Sequence, residues 1–154
     1  MRRTNPILLF VTGLLTFSCG SHSANTPAIS VENIWSRPVV ASVDSSGNAS
    51  AIGVIYMTIK NRGDVADRLL SVQSSVCKSA EIHESKMIHD RMTMTMLKDG
   101  LTVPAKGHIE FKPGSYHVML IGMKRTLNPG DTFEARLNFE KSVAVTIHSN
   151  VENP

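Results

Sequence analysis

Hydrophobic and polar residues alternate along this chain over short stretches, which is the pattern of strands with one buried face. The alternation is clearest in "MTMTML" (92–97), "TFEARLNFE" (132–140) and "VAVTIHS" (143–149). Two stretches are more continuously apolar, "AIGVIYMTIK" (51–60) and "SYHVMLIGM" (115–123). Turn residues such as those of "LNPGD" separate the stretches at intervals of roughly eight to twelve residues, and no segment keeps a helical period. The pattern predicts an all-β fold, either a sandwich or a barrel.

Five more strands are predicted from shorter apolar or β-branched runs, bounded by Gly, Pro, Asn and Ser. They are "VENIWSRPVV" (31–40), "RLLSVQSS" (68–75), "AEIHES" (80–85), "LTVPAKG" (101–107) and "HIEFKPG" (108–114). A length of 154 residues is enough for one domain with its own core. No internal repeat or low-complexity tract indicates a second domain.

The first 24 residues, "MRRTNPILLFVTGLLTFSCGSHSA", have a basic start, an apolar stretch and then small residues. This is the pattern of a secretory signal peptide. The apolar stretch, Ile7 to Phe17, is too short to cross a bilayer as a helix. The sequence therefore predicts a signal peptide over 1–24 and an exported mature domain over 25–154.

The cleavage site has two interpretations. "LTFSC" resembles a bacterial lipoprotein signal that ends at Cys19, although Leu15 lies one position too far upstream and Phe17 is bulky. Cleavage after Ser21, Ser23 or Ala24 fits at least as well. A lipid on Cys19 would be the only predicted link to a membrane. Loss or lipidation of Cys19 would leave Cys77 unpaired, either as a free thiol or as a small buried apolar residue.

The net charge carries little information about partners. The formal charge is +3, but residues 1–24 contain two arginines and no acid, which leaves 14 basic against 13 acidic residues in the mature chain. No basic run is interleaved with aromatic residues, so nucleic acid is not a predicted partner.

Methionine and histidine are concentrated in "HESKMIHDRMTMTM" (83–96), which holds four methionines and two histidines. Residues two apart in a strand share a face, so Met92, Met94 and Met96 should point the same way. His117 and Met119 share a face for the same reason. The sequence thus offers a row of thioethers on one strand and a His-x-Met pair on another.

Soft, neutral sulfur ligands combined with imidazole select Cu(I), whereas Zn(II) prefers thiolate, imidazole or carboxylate. A thioether also suits an oxidising compartment, because it cannot form a disulfide. The alternative is that the methionine row is core filler and His83 a surface residue. His117 favours a site, because a histidine among apolar residues needs partners for its ring nitrogens.

The segment "AEIHESKM … RMTMTM … GLTVPAKGHIEFKPGSYHVMLIGMKRTLNPGD" resembles the periplasmic copper chaperones called PCu(A)C. The resemblance covers about residues 29–149. His83 and Met94 are separated by ten residues, as in the family motif, and His117-x-Met119 completes it. Met94 and His117 are separated by twenty-two, one more than in the motif.

The resemblance implies a cupredoxin-like β-sandwich that binds Cu(I) and has no catalytic role. It implies His83, Met94, His117 and Met119 as ligands. The extra residue fits most simply in the turn at "LKDG" (97–100), but it also leaves Met92 or Met96 as the ligand in place of Met94. The implied secondary ligands, or a soft rim for copper transfer, are Met87, Met92 and Met96.

The implied role is delivery of copper in the periplasm, towards the CuA centre of cytochrome c oxidase. The implied partner is the CuA subunit of that oxidase or a thiol-containing copper-assembly protein.

Two other functions remain open on the sequence. A blue-copper electron-transfer protein needs a cysteine, two histidines and usually a methionine. Cys77, His83 and Met87 resemble that loop, but no histidine lies between Ala24 and Cys77. A metal-free sandwich used for adhesion or assembly would bind no copper. No Ser-His-Asp arrangement or carboxylate pair indicates an enzyme.

Overall fold

The computed structural model describes residues 26–153. This part of the chain contains ten strands and no helix. The strands are β1 (Ile29–Ser36), β2 (Ile52–Asn61), β3 (Asp67–Gln73), β4 (Ser79–Ile88), β5 (Arg91–Met96), β6 (Leu101–Val103), β7 (Gly107–Phe111), β8 (Tyr116–Ile121), β9 (Thr132–Phe139) and β10 (Val145–Val151). The predicted all-β class is confirmed. Among these residues there is no apolar helix of membrane-spanning length. The predicted signal peptide and Cys19 lie outside the described residues.

The strands form one continuous sheet in the order β5-β4-β8-β7-β2-β1-β10-β9-β3-β6, with a further pairing between β8 and β2. One hydrophobic cluster contains buried side chains from strands near both ends of this order. Ile82 and Val118 come from one end, and Leu69 and Leu137 from the other. The two arms of the sheet therefore enclose a common core, as in a sandwich.

Alternation along β4 and β8 decides which residues face this core. Ile82, Val118 and Leu120 are at most 4% exposed and belong to the core. Because side chains alternate between the two faces of a strand, His83 and His117 must lie on the opposite, outer face. This outer face of the β2–β8–β4–β5 arm is where the predicted ligands are found.

Strand β5 is one edge of the sheet, and all six of its residues are exposed. A two-residue turn, His89-Asp90, joins it to β4, and both residues have positive φ, 47° and 59°. Positive φ at both positions is the geometry of the type I′ turn, whose twist matches that of a hairpin. The methionine side chains of this hairpin are therefore exposed to solvent.

Two buried polar side chains hold the loops at the other end of the fold. The amide of Asn61 accepts hydrogen bonds from the N–H groups of Ala28 and Gly63, both at 3.0 Å. The carboxylate of Asp67 accepts bonds from the N–H groups of Lys141 and Ser142, both at 2.9 Å. These bonds anchor the irregular segments that precede β1 and follow β2 and β9.

Candidate metal centre

The strand register places His83 at the centre of a row across three strands. It lies directly opposite His117 of β8 on one side and Met96 of β5 on the other. Directly opposed residues share a face, with Cβ atoms about 4.5–5.5 Å apart. The centroids of the two imidazole rings are 5.8 Å apart, with an angle of 37° between the ring planes.

The other predicted ligands occupy neighbouring rows of the same face. Met119 is opposite Glu81 of β4, and Met94 is opposite Ser85. Met87 and Met92 face each other nearest the hairpin turn. Every methionine and histidine singled out in these strands therefore lies on one side of the sheet, apart from His89 in the turn.

A cleft of about 330 Å³ opens on this face. It is lined by three of the four predicted ligands, Met94, His117 and Met119, together with Arg37 and Tyr56 among others. His83 joins them through its contact with the ring of His117. The geometry thus brings the predicted set together, with Met94 half exposed at 51% and His117 buried at 7%.

The turn after β5 is where the extra residue of the motif is expected. The N–H of Gly100 donates to the carbonyl of Leu97 at 3.1 Å, and Gly100 has a φ of 78°. Upstream of this turn, Met94 lines the cleft whereas Met96 is paired with His83. The third ligand stays a prediction, with Met94 favoured by the cleft and Met96 by the strand pairing.

Each imidazole uses one nitrogen for a hydrogen bond and keeps the other free. His117 Nδ1 is 3.1 Å from the carbonyl oxygen of Ser115, and His83 Nε2 is 2.9 Å from the carboxylate of Glu81. The remaining nitrogens, His117 Nε2 and His83 Nδ1, are buried and have no hydrogen-bond partner among the described residues. Buried polar atoms are nearly always paired, so two free ones in adjacent rings indicate an absent partner.

The side chains around these nitrogens fit a soft metal. Across residues 26–153, no three His, Cys, Asp or Glu side chains are grouped so that they could hold a metal ion. The additional donors near the two rings are the thioethers of Met94, Met96 and Met119. Neutral sulfur with imidazole is a donor set suited to Cu(I).

Cys77 is remote from this set. Its side chain belongs to the hydrophobic core at 2% exposure, and its sulfur lies 3.7 Å from the carbonyl oxygen of Ser74. Burial raises the pKa of the thiol, and Lys124 offsets only part of that effect. His83 and Met87 lie on the outer face, so the three residues that resemble a blue-copper loop are divided between the core and the outer face.

The residues that hold the two imidazoles were not singled out from the sequence. Glu81 precedes His83 by two positions, and Ser115 precedes His117 by two. Residues two apart in a strand share a face, so the sequence pattern was enough to predict that Glu81 lies beside the ring of His83. The contact of Ser115 is through its backbone carbonyl, which no side-chain pattern can indicate.

Comparison with known proteins identifies the family of this chain. A family described as "Putative lipoprotein LpqE-like" matches residues 29–151. The "Putative lipoprotein Lxx21020" of Leifsonia xyli subsp. xyli is 29% identical over 136 residues, which cover 86% of this chain and 76% of that protein.

Two solved structures of copper-binding relatives are similar in fold. The copper-bound PCuAC domain from PmoF2 has a TM-score of 0.60 and 28% identity, covering 82% of this chain and 93% of that domain. The solution structure of the Cu(I) form of DR1885 from Deinococcus radiodurans has a TM-score of 0.57 and 25% identity, covering 86% of this chain and 85% of that one. The chain has the cupredoxin-like β fold of these domains and belongs to the LpqE-like family of PCuAC-type proteins.

Proposed function

We propose that this chain is an extracytoplasmic metallochaperone that carries one Cu(I) ion on the outer face of β4, β5 and β8. Its ligands are His83, Met94, His117 and Met119. The observation that carries the proposal is a pair of buried imidazole nitrogens, with no hydrogen-bond partner among residues 26–153, beside a row of thioethers. The copper-bound PmoF2 domain and the Cu(I) form of DR1885 support it.

The donor set explains the choice of oxidation state and metal. Thioethers are soft and uncharged, so they stabilise Cu(I) more than Cu(II) or Zn(II). They also carry no proton at any ordinary pH, so copper binding at Met94 and Met119 needs no deprotonation. Copper is the cargo here, and the chain performs no reaction on it beyond ligand exchange.

The unequal burial of the ligands suits release to a partner. His117 is almost fully buried, whereas Met94 is half exposed. A thiolate of an acceptor approaches the copper from the exposed side, forms a Cu–S bond and displaces a thioether, with no change in oxidation state. The exposed Met87, Met92 and Met96 form a soft rim around that route.

The proposed compartment is the periplasm. The predicted signal peptide over 1–24 and the lipoprotein descriptions of the family and of the Leifsonia relative support export. Attachment through a lipid on Cys19 is the proposed membrane link. The proposed acceptor is the CuA subunit of cytochrome c oxidase or a thiol-containing copper-assembly protein.

Delivery is tested by mixing the Cu(I)-loaded chain, residues 25–154, with the reduced, copper-free soluble CuA domain. After separation by size, most of the copper is expected with the CuA domain, because its thiolates bind Cu(I) more strongly than thioethers do. A CuA domain with its cysteines replaced by serine is the control and should take none. Copper that stays on the chain in the presence of reduced thiols would contradict delivery to this acceptor.

Alanine substitutions in β5 test which methionine is the third ligand. Met94→Ala is expected to weaken Cu(I) binding by about tenfold or more, because it removes a thioether that lines the cleft. Thr93→Ala, on the opposite face of the same strand, is the matched control and should change affinity little. A large loss in Met92→Ala or Met96→Ala, with none in Met94→Ala, would assign the third ligand to that methionine instead.

A further inference from the structure

Both imidazoles of the proposed site are held by groups that only accept hydrogen bonds. The carboxylate of Glu81 lies 2.9 Å from His83 Nε2, and the carbonyl oxygen of Ser115 lies 3.1 Å from His117 Nδ1. An ionised carboxylate and a backbone carbonyl have no proton to donate. The ring nitrogen in each contact must therefore be the one that carries the hydrogen.

This fixes a different tautomer in each ring. A neutral imidazole has one N–H and one lone pair, so His83 carries its hydrogen on Nε2 and His117 on Nδ1. The lone pairs then lie on His83 Nδ1 and His117 Nε2. Both of these ring nitrogens are buried and have no hydrogen-bond partner in the described part of the chain.

We propose that Glu81 is a positioning residue that holds His83 as the Nε2–H tautomer, so that His83 binds Cu(I) through Nδ1 while His117 binds it through Nε2. This inference rests on the proposed function and adds the coordinating atoms and the residue that selects them. Hydrogen bonds to the far nitrogen of a metal-bound histidine orient the ring and strengthen it as a ligand.

Glu81 is placed to do this without binding the metal itself. Its side chain is 27% exposed against 12% for that of His83, so the carboxylate lies nearer the solvent than the ring. It lies opposite Met119 in the pairing of β4 with β8. Strand pairing fixes the backbone of both Glu81 and His83 against β8, which keeps the contact in place.

The tautomers are tested first in the copper-free protein, by long-range ¹H–¹⁵N correlation spectra of the histidine rings. We expect His83 to show a protonated Nε2 and an unprotonated Nδ1, and His117 to show the reverse. Titration with Cu(I) should then shift His83 Nδ1 and His117 Nε2 most strongly. This readout does not depend on the strength of copper binding.

Substitutions of Glu81 separate positioning from packing. Glu81→Ala should mix the tautomers of His83 and weaken Cu(I) binding by about 10- to 100-fold. Glu81→Gln keeps an oxygen acceptor, so it should restore the Nε2–H tautomer and most of the affinity. Glu84→Ala, on the same strand and the opposite face, is the control and should leave the spectrum of His83 and the affinity unchanged.

The outcomes distinguish the inference from the function on which it rests. Cu(I) binding with His83 protonated on Nδ1, or with the largest copper shift at His83 Nε2, would overturn the inference and leave the proposed function standing. In that case Glu81 competes with copper for the ring. If the wild-type chain takes up no Cu(I), the proposed function fails and the coordinating role fails with it.

Discussion

Replacing His117 by alanine is expected to weaken Cu(I) binding at least about 100-fold. The change removes the most buried donor of the proposed site, a ring that lines the cleft and contacts the ring of His83. Mutation of a residue that only hydrogen-bonds to a metal ligand lowers metal affinity by about 10- to 100-fold. Loss of the ligand itself should therefore lower the affinity by at least about 100-fold. The affinity is measured by competition with a Cu(I) chelator under anaerobic conditions.

Two controls make this result interpretable. His148→Ala removes an exposed histidine on β10, in the other arm of the sheet, and should leave Cu(I) affinity as in the wild type. Thermal unfolding should show that His117→Ala still folds, because its ring faces the outer side of the sheet rather than the core. A folded His117→Ala variant with wild-type affinity would show that copper binds elsewhere.

Replacing Asp67 by asparagine is expected to lower the free energy of unfolding by about 2–3 kcal/mol at neutral pH. The carboxylate is 2% exposed and accepts bonds from the N–H groups of Lys141 and Ser142, which fix the segment after β9. Hydrogen bonds to a charged group contribute about 1.5–3 kcal/mol each, and an amide has only one oxygen to replace two. Urea unfolding at pH 7 measures the difference.

The size of this effect should depend on pH in one direction. Burial raises the pKa of Asp67, but hydrogen bonds from Ser142, Arg68 and Lys141 lower it by more, so the net pKa in the folded state is below its ordinary value. A lowered folded-state pKa stabilises the fold above the unfolded value of about 3.9, and that stabilisation is lost as the pH falls through the folded-state pKa. The difference between wild type and Asp67→Asn should therefore shrink in acid.

An exposed aspartate is the control for the Asp67 measurement. Asp99→Asn changes a carboxylate in the turn before β6 and should alter stability by less than about 0.5 kcal/mol at either pH. A destabilisation by Asp67→Asn that stays constant or grows from pH 7 to pH 3 would contradict the role assigned to the charge.

Local pattern was enough to predict the strands and the faces within them. The alternation of "MTMTM" correctly predicts β5, and the period of two correctly predicts that His117 and Met119 share a face. Strands β6 and β7 are shorter than the pattern suggests, because Pro104 and Pro113 lack the N–H that continues a ladder. The structure therefore has β6 ending at Val103 and β7 at Phe111.

The pairing of distant strands could not be predicted from periodicity. His83 and His117 are directly opposed although they are far apart in sequence, and a slip of one residue would put one of them in the core. Register between such strands is set by how the two arms of the sheet pack, which is a property of the whole fold. Resemblance to a family supplied that information where local pattern did not.

The methionines show where composition alone is ambiguous. Met57 and Met123 are buried at 1% exposure, whereas Met92 and Met94 are more than half exposed. Residue type alone therefore does not distinguish a methionine of the core from a candidate ligand. The difference is the face of the sheet on which each side chain lies. The exposed row on β5 is therefore not the core filler of the alternative interpretation.

The central claim is that the outer face of β4, β5 and β8 binds a single Cu(I) ion. The most direct test is an anaerobic competition titration of residues 25–154, which contain the whole described fold, against a coloured Cu(I) chelator. One Cu(I) per chain, removed from the chelator at a sharp endpoint, is the predicted result. A chain that leaves all the copper on the chelator, even when the chelator is weak, would contradict the claim and leave a metal-free β-sandwich as the account of this protein.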